Sequence, residues 1–308
     1  MAGRKNEMAD VSSVHRFDSG VGAEIPIRPP DPHQAESEFT PYQLNLLCQY
    51  SYGVGRDDLM TRVGHHDFHD ASAGSYWIIR PLHSPRNGFE GMIVAPDKAG
   101  HADLGHLVVV YAGTNLKDDA LRDIPSALTT FLPPANRFSG QVREADILAR
   151  EALDAGRKAG FTSGKVVFTG HSMGGGLALI EASRFDLPAR VFCAVDPWLV
   201  LDGNQRRLLR AHRVDDRFLD FRLRNDLVTG PANTLLTGSP DRSARIIWCG
   251  RGPGRIGHWL GDFSFNGQGN PCIADTGPDT HLAILQQRHH HPHLGPVVSF
   301  GTQQVRTE

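Results

Sequence analysis

The hydrophobic positions of this 308-residue chain fall into short continuous runs that alternate with longer amphipathic stretches. Residues 106–114 (HLVVVYAGT), 165–170 (KVVFTG), 190–195 (RVFCAV), 218–223 (FLDFRL) and 245–250 (RIIWCG) are the apolar runs, and they predict strands. The first two are rich in β-branched residues, which is typical of strands buried on both faces. Residues 141–160, 173–185 and 201–214 predict helices between them. This alternation predicts right-handed crossovers and a mainly parallel sheet.

The N-terminal third of the chain has a different pattern. Residues 1–38 are polar and contain prolines, and we expect them to form a mobile arm. Thr40 and Pro41 predict the start of a helix, since threonine is a common N-cap and proline a common first helical residue. Residues 75–80 and 89–96 predict two strands joined by a turn at 84–88. We therefore expect one domain over residues 39–295 and a C-terminal tail at 296–308.

Composition and charge narrow the function classes. The chain is 40% hydrophobic and 21% charged, with a net charge of −2, so electrostatics give no reason to expect a nucleic-acid partner. It contains no run of 18 apolar residues and no apolar segment near its N-terminus, so we expect neither a membrane-spanning helix nor a signal peptide. The default expectation is a cytoplasmic protein, with export by a specialised secretion system as the alternative.

Gly170-His171-Ser172-Met173-Gly174 is the motif with the clearest chemical potential. It follows an apolar strand and precedes a helix, which is the context of a nucleophile elbow. Such a turn exposes the serine side chain and directs the first helical amides at a developing oxyanion. The alternative interpretation is a glycine-rich turn in which the serine has no chemical role, but the flanking strand and helix favour the nucleophile elbow.

A serine nucleophile needs an acid and a histidine further along the chain in this architecture. Asp226 follows the strand at 218–223, and Asp196 follows the strand at 190–195. His258 and His281 are the candidate bases, and the residues alone do not choose between them. No cysteine and no second carboxylate-rich segment supports the histidines at 65, 66 and 69 as metal ligands. The histidines at 289–293 are typical of a solvated tail, so we predict no metal site and no cofactor.

Three segments of the chain resemble the class 3 lipases, the fungal-type triacylglycerol lipase family and its bacterial relatives. They are VVVYAGTN (108–115), TGHSMGGGLA (169–178) and FRLRNDLVT (221–229), and DTHLAIL (279–285) is similar to the family's last motif. The resemblance implies an α/β-hydrolase-like fold, a central mainly parallel sheet with helices on both faces. It also implies Asp226 as the acid and His281 as the base. The sequence departs from the family at Ala112, where the family has arginine, and in lacking a proline and a tyrosine in the last two motifs.

The resemblance further implies an oxyanion hole from the backbone N–H groups of Met173 and Thr114, and a lid over residues 116–138. The implied activity is hydrolysis of lipid acyl esters, glycerolipid or phospholipid, with transient contact at a membrane surface. Three alternatives remain open: an esterase or thioesterase of small substrates, a non-catalytic binding module, and a secreted antibacterial or virulence phospholipase effector. An effector would be expected to have an inhibitory, immunity-type protein partner.

Overall fold

The structure is a computed structural model that describes a defined part of the chain. The described residues are 16–18, 24–26, 39–56, 58–113, 136–161, 165–214, 216–226, 228–229, 243–252 and 257–272. The rest of the predicted arm, nearly all of the predicted lid, Thr114, His281 and the C-terminal tail lie outside them. The predicted domain boundaries therefore remain predictions.

The described residues form a central nine-stranded sheet. Its strands are β3 (Gly64–Asp67), β4 (Ser75–Ser84), β5 (Phe89–Lys98), β6 (His101–Ala102), β7 (His106–Tyr111), β8 (Lys165–His171), β9 (Ala189–Phe192), β10 (Phe218–Leu223) and β11 (Arg245–Cys249). The strand order is β11-β10-β9-β8-β7-β5-β4-β3, with β6 paired to β5. Strands β7 to β11 are parallel, and β3, β4 and β5 add an antiparallel edge. A separate antiparallel ribbon consists of β1 (Arg16–Asp18) and β2 (Glu24–Pro26).

Four α-helices cover the sheet within the described residues: α1 (Pro41–Ser51), α2 (Asn136–Lys158), α3 (Met173–Phe185) and α4 (Gly203–Ala211). Helices α2, α3 and α4 connect successive parallel strands, and the strand order advances one position in the same direction each time. Right-handed crossovers of this kind place every connecting helix on one face. In agreement, α3 contacts both α2 and α4. None of these helices combines the length and the apolar character that a bilayer crossing requires.

The two faces of the sheet bury separate apolar clusters. Val109, Tyr111 and Phe168 point towards α2 and α3, whereas Val108 and Val110 point towards α1 on the opposite face. This alternation follows from the two-residue period of a strand. Helices thus lie on both faces of a mainly parallel sheet, which confirms the predicted fold class.

Local predictions from the sequence agree with the structure in most elements. Thr40 is the N-cap of α1, where its hydroxyl accepts a hydrogen bond from the Gln43 amide at 3.2 Å, and Pro41 is the first helical residue. Helix α2 begins five residues before the predicted start and extends to Lys158. The edge strand β3 was not predicted, because its sequence GHHD is polar and lies on the exposed margin of the sheet.

Candidate active site

Ser172 lies at the sharp turn between β8 and α3. Its backbone has φ 56° and ψ −122°, an unusual conformation for a residue other than glycine. Both backbone polar groups of Ser172 bind the end of β9 and the loop after it. The Ser172 amide donates to the Phe192 carbonyl at 3.1 Å, and the Ser172 carbonyl accepts from the Val195 amide at 3.0 Å. Gly174 makes the turn possible, since a Cβ there would lie 2.6 Å from the carbonyl oxygen of Ala112. The elbow therefore packs directly against the end of β7.

The Ser172 side chain is directed at a histidine rather than at its own helix. A serine at an N-cap ordinarily bonds an amide of the first helical turn, but Ser172 makes no such bond. Its Oγ lies 3.1 Å from His258 Nε2, and His258 Nδ1 lies 3.2 Å from Asp226 Oδ1. An ionised carboxylate only accepts hydrogen bonds, so Nδ1 carries the proton and donates it. Nε2 is then the acceptor for the Ser172 hydroxyl.

Asp226 is held as a buried anion. Its Oδ1 accepts from the amides of Val228 at 2.9 Å and Thr229 at 3.1 Å, and its Oδ2 accepts from the Thr229 hydroxyl. Burial by itself would raise the pKa of this carboxyl, but the hydrogen bonds from His258 and Thr229 outweigh it and lower the pKa to about 2. Asp226 is consequently ionised at neutral pH and stabilises positive charge on His258.

Asn225 joins the loop of the acid to the loop of the histidine. Its backbone carbonyl accepts from the Gly257 amide at 2.9 Å, next to His258. Its side chain binds Gly252 twice, with Oδ1 accepting from the amide at 2.9 Å and Nδ2 donating to the carbonyl at 3.2 Å. Gly257 has no room for a side chain, since a Cβ there would lie within 3.0 Å of Asn225 Nδ2. These contacts fix the loop after β11 and hence the position of His258.

His171 directly precedes the serine, and its side chain binds the backbone of His258. Its Nε2 donates to the His258 carbonyl at 2.7 Å, because a carbonyl can only accept. Its Nδ1 lies 2.7 Å from the Tyr52 hydroxyl. Burial, followed by the neighbouring His258, lowers the pKa of His171 to about 3, so the ring is neutral and Nδ1 accepts from Tyr52.

The structure thus brings Ser172, Asp226 and His258 together. Met173 is buried and is the first residue of α3, so its amide is at the helix N-terminus beside Ser172. Asp196 instead accepts from the Trp198 amide at 2.9 Å and from the Ser243 hydroxyl. His281 and Thr114 lie outside the described residues, so their roles remain predictions.

The early histidines have separate partners. His65 lies 3.5 Å from Asp97, His66 lies 2.7 Å from the Arg62 carbonyl, and His69 lies 2.5 Å from the Tyr50 hydroxyl. Sequence reasoning missed two other residues, Asn225 and His171. Their signal was their position, since each directly precedes a candidate catalytic residue.

Comparison with known proteins gives weak structural similarity only. No family model and no curated protein matches the sequence. Among solved structures, the native Rhizomucor miehei lipase propeptide complex is 16% identical, with a TM-score of 0.46 over 77% of this chain and 76% of that one. The mono- and diacylglycerol lipase from Aspergillus oryzae is 12% identical, with a TM-score of 0.43 over 76% and 86%. Carboxyl esterase 2 from Tuber melanosporum is 12% identical, with a TM-score of 0.32 over 67% and 88%. The fold of this chain accordingly rests on its own strand order and connections.

Proposed function

We propose that this chain is a serine hydrolase that cleaves carboxylic esters through an acyl-enzyme. The observation that carries the proposal is the continuous contact from Ser172 Oγ to His258 Nε2 at 3.1 Å and from His258 Nδ1 to Asp226 Oδ1 at 3.2 Å. These are the relations between nucleophile, base and orienting acid that acyl transfer requires. They favour His258 over His281 as the base.

The reaction follows from the hydrogen-bond directions. Ser172 Oγ attacks the ester carbonyl and its proton passes to His258 Nε2, while Asp226 stabilises the imidazolium that forms. His258 then gives the proton to the leaving alcohol. A water molecule attacks the acyl-enzyme by the same route in reverse and releases the carboxylic acid. The Met173 amide stabilises the oxyanion at the N-terminus of α3.

An acyl ester of a lipid is the substrate class that we propose. Trp259 directly follows the base and is 47% exposed, and Leu199 and Val200 are exposed on the loop after β9. That loop passes Ser172, since the Val195 amide binds the Ser172 carbonyl. Large apolar side chains exposed on the two segments that carry the base and pass the nucleophile suit a substrate with an acyl chain, whereas a small polar ester would gain little from them.

Release of carboxylic acid from a substrate panel tests this proposal. The panel contains a triglyceride, a phospholipid and a short soluble ester, and wild type is compared with Ser172→Ala. We expect hydrolysis of a long-chain lipid ester by wild type and none by the variant. Preference for the short ester would contradict the lipid assignment alone. If the wild type is folded but hydrolyses none of these esters, the enzyme proposal is refuted and a non-catalytic binding module becomes the better interpretation.

A further inference from the structure

Cys193 lies beside the acid Asp226 and the base His258, and its buried thiol has no role in the proposed ester hydrolysis. It lies one residue beyond β9, its side chain is fully buried, and its amide donates to the Phe221 carbonyl at 2.9 Å. Its Sγ, a carboxylate oxygen of Asp226 and a ring nitrogen of His258 all lie within 4.8 Å of one another. Among the described residues, this is the one group of three such ligands that converges in this way.

The three atoms form a suitable set for a zinc-like cation. Thiolate, imidazole and carboxylate are the ligands of tetrahedral Zn²⁺, at distances of roughly 2.0–2.3 Å. Two nitrogen or oxygen ligands of a tetrahedral ion are therefore about 3.3 Å apart, close to the 3.2 Å that separates His258 Nδ1 from Asp226 Oδ1. Cys193 Sγ lies within 4.8 Å of the other two ligand atoms, so it has to move closer to them to complete a site of this size.

Charge balance also favours a divalent cation. Asp226 is ionised, and a Cys193 thiolate would add a second negative charge, so the two charges of the cation are neutralised in a buried setting. The thiol proton leaves to solvent as the sulfur–metal bond forms, and no electron is transferred. Without the cation, the thiol stays protonated, because burial and the adjacent Asp226 carboxylate raise its pKa well above the ordinary value.

We propose that Cys193, Asp226 and His258 form an inhibitory site for a thiophilic divalent cation such as Zn²⁺. Binding at Nδ1 leaves the proton of the neutral imidazole on Nε2, so His258 can no longer accept the proton of Ser172. It also takes the Asp226 carboxylate away from the histidine. The inhibition rests on the proposed ester hydrolysis, whereas the binding of the metal does not.

Zinc titration of ester hydrolysis tests the inhibitory effect. Wild type, Cys193→Ser and Cys193→Ala are compared with Cys272→Ser, in which an exposed cysteine is removed. Loss of an outer-shell partner alone weakens metal sites roughly 10- to 100-fold, so loss of the sulfur ligand should raise the half-inhibitory Zn²⁺ concentration at least about tenfold. Cys272→Ser should match wild type, and a chelator should restore full activity. Equal zinc sensitivity of wild type and both Cys193 variants would overturn the proposal.

Cobalt binding tests the same site without relying on activity. Co²⁺ is added to the Ser172→Ala protein and its thiolate-to-metal charge-transfer absorption is measured, which the histidines at 289–293 cannot produce. We expect the band in Ser172→Ala and in Ser172→Ala with Cys272→Ser, and its loss when Cys193→Ser is added. Absence of the band in Ser172→Ala overturns the inference even when ester hydrolysis is intact. A band that depends on Cys193, together with a folded wild type that hydrolyses no ester, would refute the proposed function and leave the metal site standing.

Discussion

Replacing His171 with glutamine should remove a large part of the acid sensitivity of the fold. The imidazole is buried and neutral, with a pKa of about 3, against about 6.5 for an unfolded histidine. Because the folded pKa is depressed, the histidine has no effect on stability well above pH 6.5. It increasingly favours the unfolded chain as the pH falls from 6.5 towards 3. At about 1.36 kcal/mol for each pKa unit, wild type should lose about 3 kcal/mol between pH 7 and pH 4 from this group.

Glutamine is a suitable replacement because its amide can donate to the His258 carbonyl and accept from the Tyr52 hydroxyl, but it does not titrate. The assay is denaturant unfolding of both proteins at pH 7 and pH 4, followed by tryptophan fluorescence. Other buried groups change with pH as well: burial raises the pKa of Glu181 to about 8. Their effects are common to both proteins and cancel in the comparison. A difference in unfolding free energy between the proteins that is the same at both pH values would refute the account of His171.

Three further substitutions test the site and the sheet beneath it. Tyr52→Phe removes the donor to His171 Nδ1, so we expect steady-state kinetics to show a fall in kcat of about tenfold, the equivalent of one hydrogen bond, with KM unchanged. A raised KM with constant kcat would place Tyr52 in substrate binding instead. Asp226→Asn should retain the fold by circular dichroism and lower kcat by about 10⁴-fold, since the amide no longer orients His258 or stabilises its charged form; a loss below tenfold would argue against Asp226 as the acid. Arg222→Met removes the buried cation beside Asp220, so the free energy of unfolding should fall by about 3–5 kcal/mol. An unchanged melting temperature in thermal unfolding would contradict this.

The parallel half of the sheet could be predicted from the sequence because its strands carry their own signal. Strands β7 and β8 are covered on both faces, so they appear as continuous apolar runs. The same logic fails at β3, where the polar sequence GHHD pairs in antiparallel register with β4 at the exposed edge. No local pattern distinguishes such a segment from a loop. Its strand conformation is set by the neighbouring strand.

In the candidate site, too, some residues could be predicted from the sequence and one could not. Ser172 and Asp226 each follow a predicted strand closely, and the carboxyl ends of parallel strands meet at one edge of the sheet. His258 lies nine residues past β11 in a loop without regular periodicity. The hydrogen bonds that hold this loop join Gly252 and Gly257 to Asn225, which is far from both of them in sequence. Spacing alone therefore could not choose between His258 and His281.

In the proposed mechanism, His258 activates Ser172 for attack on an acyl carbon. Labelling by a fluorophosphonate tests it directly, because the reagent reacts with an activated serine and needs no knowledge of the substrate. The rate and site of labelling are measured in wild type, Ser172→Ala, His258→Ala and His281→Ala. We expect labelling at Ser172 in wild type and His281→Ala, none in Ser172→Ala, and a strongly reduced rate in His258→Ala. Labelling of His258→Ala at the wild-type rate, with loss in His281→Ala, would contradict it.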